Sequence, residues 1–243
     1  MRIDRFTKRG KCFAFSLCIL FNWLGLSNCP AFAVAVGQVD EFFEDDYQNW
    51  GGAAAGVLPD VGPTGDGDFS LLVEASGFPG GAGSRLVTFN GGVGAPVATQ
   101  WTGDWIAAGI RTLSLDVLNP NDFALTMWLG IAGPGPPGFA GSGDSYVSKS
   151  GIPVPADGLW HSVEFSVLPG DFDAWGSGSD PAAALANVLQ MRIMHAVVQD
   201  WRGATGDALM LIDNIRAIPE PSAWSLAAMA AATLRRFRKR NRL

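Results

Sequence analysis

The 243-residue chain holds three cysteines, Cys12, Cys18 and Cys29, and none beyond position 29. A product that loses its N-terminus therefore has no disulfide, no thiolate metal site and no cysteine nucleophile, and its fold rests on its core alone. Basic residues are equally scarce in the middle of the chain. Of the 17 lysines and arginines, 11 belong to the two ends, within residues 2–11 and 235–242. Between Val34 and Ile218, 21 acids face 6 bases, a net charge of −15. Such a domain repels nucleic acid and anionic lipid and disfavours a phosphate-binding role. It suits divalent cations or neutral ligands, although solubility alone also accounts for the acidity. No long apolar pattern of period 3.6 is present, which excludes a helical bundle. No G-x-S-x-G elbow, P-loop or H-E-x-x-H helix occurs, so the domain reads as non-catalytic, with a secreted glycan-active enzyme only a minor alternative.

The two ends carry the clearest signals. Arg2, Arg5, Lys8, Arg9 and Lys11 precede the apolar stretch Cys12–Leu26, and Ala31-Phe32-Ala33 places small residues at the −3 and −1 positions of a cleavage site. This is the pattern of a secretory signal peptide over 1–33, handled by the Sec machinery and cut by signal peptidase after Ala33. At the other end, residues 219–243 read Pro219-Glu220-Pro221, then an apolar run Ser222–Leu234, then Arg235, Arg236, Arg238, Lys239, Arg240 and Arg242. The prolines impose an extended stop. The apolar run favours helix, and the cations resist translocation and keep their end cytoplasmic. As a helix the run spans only ~20 Å against a ~30 Å hydrocarbon core, so spanning requires extension through Phe237 with Arg235 and Arg236 snorkelling. The alternative is a C-terminal helix docked on the domain. The motif order resembles the PEP-CTERM sorting signal of Gram-negative bacteria. That resemblance implies transient inner-membrane anchoring, processing by an exosortase-type enzyme, and a final place at the cell surface or in the extracellular matrix.

The intervening residues 34–218 are punctuated by Gly, Pro, Asn and Asp. Apolar runs predict strands near Gln38–Glu44, Phe69–Ala75, Ser84–Asn90, Arg111–Leu118, Phe123–Ile131, Leu159–Val167, Leu189–Ala196 and Ala208–Ile218. Several alternate strictly, for example Leu113, Leu115 and Val117, or Leu125, Met127, Leu129 and Ile131. Asn119-Pro120-Asn121-Asp122 is a turn whose prolyl φ and Asx side chains favour it. One short helix is expected over Asp180–Val188, capped by Asp180 with Pro181 in its first turn. Many strands joined by Gly/Pro loops predict an all-β antiparallel jelly-roll sandwich, flanked by the N-terminal signal helix and the C-terminal hydrophobic helix.

Phe43-Glu44, Arg111–Asp116, Gly158–Phe165 and Leu211–Ile215 together resemble jelly-roll domains related to carbohydrate-binding modules. In that family an acid of the last strand and one of the first hold a structural Ca²⁺, and the matching positions here are Asp213 and Glu44. Independently, Asp213 falls in phase with Leu209, Leu211 and Ile215, which predicts a buried carboxylate needing a cation, an arginine or several N–H donors. Asp171-Phe-Asp173 and Asp66-Gly-Asp68 have fragments of calcium-loop spacing without the remaining ligands. His161 and His195 share the apolar phase of their strands and read as buried or strand-end residues. Trp128 and Trp160 are out of phase with the core, so both are expected on open sheet faces where an indole stacks on a sugar ring, unless loops cover them. Two readings of the exported domain follow. It is a structural component of the surface or matrix, or it is a module that binds extracellular polysaccharide.

Overall fold

The period-2 runs form strands, and their glycine- and proline-rich joints form turns. The computed structural model describes residues 34–44, 46–75, 83–88, 100–134, 144–176 and 178–219. The expected signal helix with Ala31 and Ala33, and the tail with Glu220, Pro221, Arg235 and Arg236, lie outside the described residues. Thirteen strands are described, β1 Val39–Asp40, β2 Trp50–Gly52, β3 Ala54–Leu58, β4 Ser70–Glu74, β5 Arg85–Thr88, β6 Ile110–Leu118, β7 Leu125–Ala132, β8 Ser145–Ser148, β9 Ile152–Val154, β10 Trp160–Ser166, β11 Phe172–Ala174, β12 Gln190–His195 and β13 Leu209–Pro219. A single α-helix, α1 Pro181–Leu185, accompanies them among the described residues. It is shorter than the expected Asp180–Val188, but its start is as read: Asp180 Oδ1 accepts from the Ala182 and Ala183 N–H groups at 2.9 and 3.1 Å. No described helix is long and apolar enough to cross a membrane.

The strands form two antiparallel sheets. The first has the order β10-β6-β13-β4-β3, with β1 also on β13, and the second has the order β11-β8-β7-β12-β5-β2, with β9 also on β7. The interior faces carry the residues that alternation predicts: Leu113, Leu115, Val117, Val163 and Phe165 from one sheet, and Leu125, Met127, Leu129, Ile131, Met191 and Ile193 from the other. Burying each such side chain stabilises the fold by about 1.5–3 kcal/mol. The Asn119 turn ties this core together. Asn119 is fully buried; its Nδ2 donates to the Phe123 and Val154 carbonyls, and its Oδ1 accepts from the Asn121 N–H. Asn121 in turn exchanges two hydrogen bonds with the Leu209 backbone, which joins the β6–β7 turn to the start of β13.

β13 is the central strand of the first sheet. β4 pairs with its first half and β1 with its second, and between them the register breaks around Asp213–Arg216. Asn214 stands in that break with φ +52°, a left-handed conformation that asparagine tolerates better than most residues. The bulge reverses the side-chain phase along β13. Met210 and Ile212 point into the core before it and Ile215 and Ala217 after it. Asp213 is therefore on the outer face with Leu211. The sequence reading placed it inside because unbroken alternation groups Asp213 with Ile215.

Candidate functional site

Asp213 is buried all the same, at 2% exposure. Its burial comes from what covers the outer face of the first sheet. Asn214 Nδ2 bridges two carboxylates, donating to Asp213 Oδ2 at 3.1 Å and to Asp116 Oδ2 at 3.0 Å. Asp213 Oδ1 accepts no well-formed hydrogen bond. Burial pushes the Asp213 carboxyl up to about 7. The nearby Asn214 and Phe42 N–H groups oppose that rise, whereas the charges of Asp68 and Asp116 add to it. Glu44, the expected partner, is an exposed turn residue at φ +43°, and no described hydrogen bond or ion pair joins it to Asp213. Asp68 and Asp116 are the acids whose charges reach Asp213. Among the described residues, no group of three acidic or histidine side chains converges as a metal cage would.

The segment after β1 brings the Phe42 N–H to Asp213, and the loop 59–69 between β3 and β4 brings the charge of Asp68. That loop is held by its own polar groups: Asp68 Oδ2 accepts from both the N–H and the hydroxyl of Thr64 at 2.8 Å, and Asp60 Oδ1 accepts from the Gly67 N–H at 2.7 Å. Asp68 thus serves as a loop brace, and Asp66-Gly-Asp68 does not read as a calcium loop. The loop starts from β3 at one edge of the sheet, yet Val61 O accepts from Trp160 Nε1 at 3.2 Å on β10 at the other edge. Four strand spacings separate those edges, roughly 19 Å. The loop therefore leans across the outer face and is fastened at its far side by the indole.

Trp160 is half-buried, and its outward phase is as expected. It heads an apolar row across the outer face, in register with Leu118, Leu211 and Leu72. The next outward row is polar and comprises Ser162, Asp116 and Asp213. Leu211 and Asp213 are buried within these rows, whereas Trp160, Leu118, Leu72 and Asp116 are half-buried and Ser162 is exposed. An indole beside hydroxyl and carboxylate oxygens can stack on the C–H face of a sugar whose hydroxyls donate to oxygen.

Trp128 shows a different outcome. It is on the outer face of the second sheet, as its phase requires, but is only 8% exposed. Its ring packs with Val147, Met194, Ala196 and Trp201, and its Nε1 donates to the Ala196 carbonyl at 2.9 Å. The expectation of an open stacking surface at Trp128 is corrected. The segment following β12 folds back over this face and plugs it with Trp201, whose ring seats so closely on Gly130 that a Cβ there would come within 2.7 Å of Cζ3. Sequence phase shows the face of a strand, and a loop closing from 68 or more residues away is invisible to it.

Trp50, Trp101 and Trp105 are core residues. Two of them surround Asp40, an acid that pattern reading passed over. Trp50 Nε1 and Trp101 Nε1 both donate to Asp40 Oδ2, at 2.8 and 2.6 Å. Burial raises the Asp40 pKa, and the indole and Gln100 donors partly offset the rise. No sequence spacing signals this arrangement, because its donors are 10 and 61 residues away from Asp40. The histidines fall as expected. His195 is buried, its Nδ1 accepts from the Thr126 N–H at 3.0 Å, and burial holds its pKa below the usual value. His161, at a strand end, pairs with Asp157 at 2.9 Å. Asp171 accepts from the Ser166 hydroxyl, and Asp173 is exposed on β11.

No family model matches the chain, and no curated protein does. Solved structures do. The family 11 carbohydrate-binding module from Clostridium thermocellum, in complex with a β-1,3-1,4-mixed-linked tetrasaccharide, is 20% identical. That match covers 76% of this chain and 99% of that one, at a TM-score of 0.46. An exo-β-agarase is 16% identical at a TM-score of 0.51, covering 77% of this chain and 25% of that one. At these identities the likeness concerns the fold, an antiparallel sandwich of two sheets.

Proposed function

We propose that the domain is a polysaccharide-binding module of an exported surface or matrix protein. The outer face of the first sheet is the binding surface, and Trp160 is its stacking residue. The observation that carries this reading is the half-buried Trp160 and Leu118 on this face beside Ser162 and Asp116, the residues of the two rows that stay open on neighbouring strands, whereas Leu211 and Asp213 are buried. The loop 59–69, fastened to Trp160 itself, would form one wall of the site. In this reading the domain is non-catalytic, and extracellular polysaccharide is its partner. Titration of the mature protein with soluble glycans, followed by tryptophan emission, tests it: the reading expects a response that Trp160→Ala removes without unfolding the domain. The purely structural role stands as a second reading, favoured by the burial of Trp128 and by the use of the Trp160 N–H to hold a loop.

Export and sorting belong to the same proposal and rest on the sequence. The chain would be exported through the Sec machinery, cut after Ala33, and held in the inner membrane by the 222–237 run. An exosortase-type enzyme would then process it near Pro219-Glu220-Pro221. Mass spectrometry of the mature protein tests this, and a secreted product that retains Arg235 and Arg236 would contradict it.

A structural Ca²⁺ at Asp213 is also proposed. What supports it is one buried carboxylate oxygen, Asp213 Oδ1, that accepts no well-formed hydrogen bond, since such an oxygen suits a cation that takes oxygen ligands. Neighbouring backbone oxygens would complete the shell, and Glu44, exposed at its turn, would have to swing inward to join it. When bound, the ion would supply positive charge at Asp213, where the charges of Asp68 and Asp116 already act.

A further inference from the structure

The outer face of the second sheet, on the opposite side of the sandwich, gathers cations in a domain that has few. Of the six bases between Val34 and Ile218, Arg85, Arg192 and Arg202 meet there. Arg192 pairs with Val87 and Arg85 with Met194, so the two arginines project from the same face of neighbouring strands as diagonal partners, with Cα atoms ~7–8 Å apart. The Arg192 guanidinium lies 4.2 Å from the Trp201 ring centre. Its Nη1 donates to the Trp201 carbonyl at 2.9 Å and its Nε to Gln190 Oε1 at 3.0 Å. Arg85 Nη1 donates to the Arg202 carbonyl at 2.6 Å, while Arg85 Nε is buried with no partner. These acceptors are all neutral. Among the described residues neither Arg85 nor Arg192 forms an ion pair, and Asp200 is the one acid whose charge supports Arg85. The segments 76–82, 89–99 and 135–143 contain no acid at all. Burial, then the charges of Arg85 and Arg202, pull the Arg192 pKa down to about 9.

Half-buried guanidiniums set side by side, with no ion pair among the described residues and only the charge of Asp200 acting on Arg85, are unfavourable. The arrangement becomes favourable when an anion accepts from the Nη hydrogens that these bonds leave over on both guanidiniums, a charge-assisted contact that suits carboxylate and sulfate. The Trp201 ring under Arg192 belongs to an apolar cluster against which the half-buried Trp175 also packs. The surrounding charge of −15 selects against a dense polyanion, since every further anionic group meets repulsion. We propose that the Arg85–Arg192 face binds the carboxylate or sulfate group of a sparsely charged acidic polysaccharide. The anion site stands independently of Trp160, whereas its carbohydrate ligand rests on the polysaccharide-binding reading above.

Isothermal titration of the mature protein with a glucuronate-substituted xylo-oligosaccharide and with the unsubstituted oligosaccharide of the same length tests the proposal. Melting curves in sulfate at constant ionic strength accompany it. The substituted sugar should bind roughly ten-fold more tightly or better, as expected for a charge-assisted bidentate contact. That preference should vanish in Arg192→Gln and in Arg192→Lys, which keeps the charge but loses the fork, and should survive in Trp160→Ala. Equal affinity for the two sugars overturns the proposal. So does a preference that persists in both Arg192→Gln and Arg85→Gln, each shown by circular dichroism to be folded. If neither sugar binds while sulfate raises the melting temperature of the parent more than that of Arg192→Gln, the anion site stands and the carbohydrate reading fails. If sulfate acts equally on both proteins and neither sugar binds, the anion site is overturned as well.

Discussion

The indole N–H of Trp160 donates to the Val61 carbonyl at 3.2 Å, and so binds the last strand of one sheet edge to a loop that leaves from the other. This contact makes Trp160 both the fastening of the loop and the head of the apolar row beneath it. Replacing it with phenylalanine keeps a ring but removes the donor. Trp160→Phe is expected to raise amide exchange in residues 59–69 with little change in the core strands. Loss of one largely exposed hydrogen bond costs about 0.5–1.5 kcal/mol. Exchange measured by mass spectrometry checks it.

Gly62 is the tight point inside that loop. A Cβ there would come within 2.3–2.8 Å of the Asp68 side chain, the brace that holds Thr64. Gly62→Ala should therefore disturb the loop and weaken any glycan response, while the melting temperature of the sandwich changes little. A response equal to that of the parent would separate the loop from the binding surface.

The buried carboxylate at Asp213 gives the protein a definite pH signature. Its folded pKa of about 7 exceeds the unfolded value, so the folded state holds the proton more tightly than the unfolded one between pH ~4 and 7. In excess chelator, stability should fall as pH rises through that window and level off above it. Asp40, whose pKa is also raised by burial, acts in the same direction. His195, whose pKa is lowered by burial, acts oppositely and costs stability as pH drops through ~6.5 and below. Asp213→Asn should flatten the fall. Saturating Ca²⁺ should reverse it, because a bound cation favours the ionised carboxylate and stabilises the native state by mass action. Melting curves at pH 5 and pH 8, with and without Ca²⁺, decide the matter. Identical curves in chelator and in Ca²⁺ leave Asp213 as a hydrogen-bonded acid only.

Asp40 offers a purely structural test. Asp40→Ala leaves the Trp50 and Trp101 N–H groups buried without an acceptor, each at a cost of about 1–3 kcal/mol. Asp40→Asn retains an acceptor and should cost less. Urea unfolding of the two variants, followed by tryptophan emission, measures the difference.

Sequence alternation made the long strands legible, as in Arg111–Leu118 and Leu125–Ile131, because a half-buried strand must repeat every second residue. The Asn119 turn and the Asp180 cap were legible for a similar reason, since their chemistry is local. The short strands Trp50–Gly52, Ala54–Leu58 and Ser145–Ser148 carry too few alternations to stand out. Asp213 was recognised as a special acid, but a single bulge at Asn214 reversed its face. Trp160 and Trp128 have the same outward phase and different exposures, decided by which loops fold over them. That information depends on chain closure at long range. The Arg85–Arg192 pair was missed for the same reason, as its members are far apart in sequence and unremarkable alone.

The most direct test of the account is a fluorescence titration of the mature domain with a panel of soluble glycans, run in parallel on the parent and on Trp160→Ala. The account predicts a saturable change in tryptophan emission with at least one glycan, absent in Trp160→Ala at unchanged circular dichroism. No response across the panel, or a response that Trp160→Ala retains in full, contradicts the binding surface and leaves the structural role.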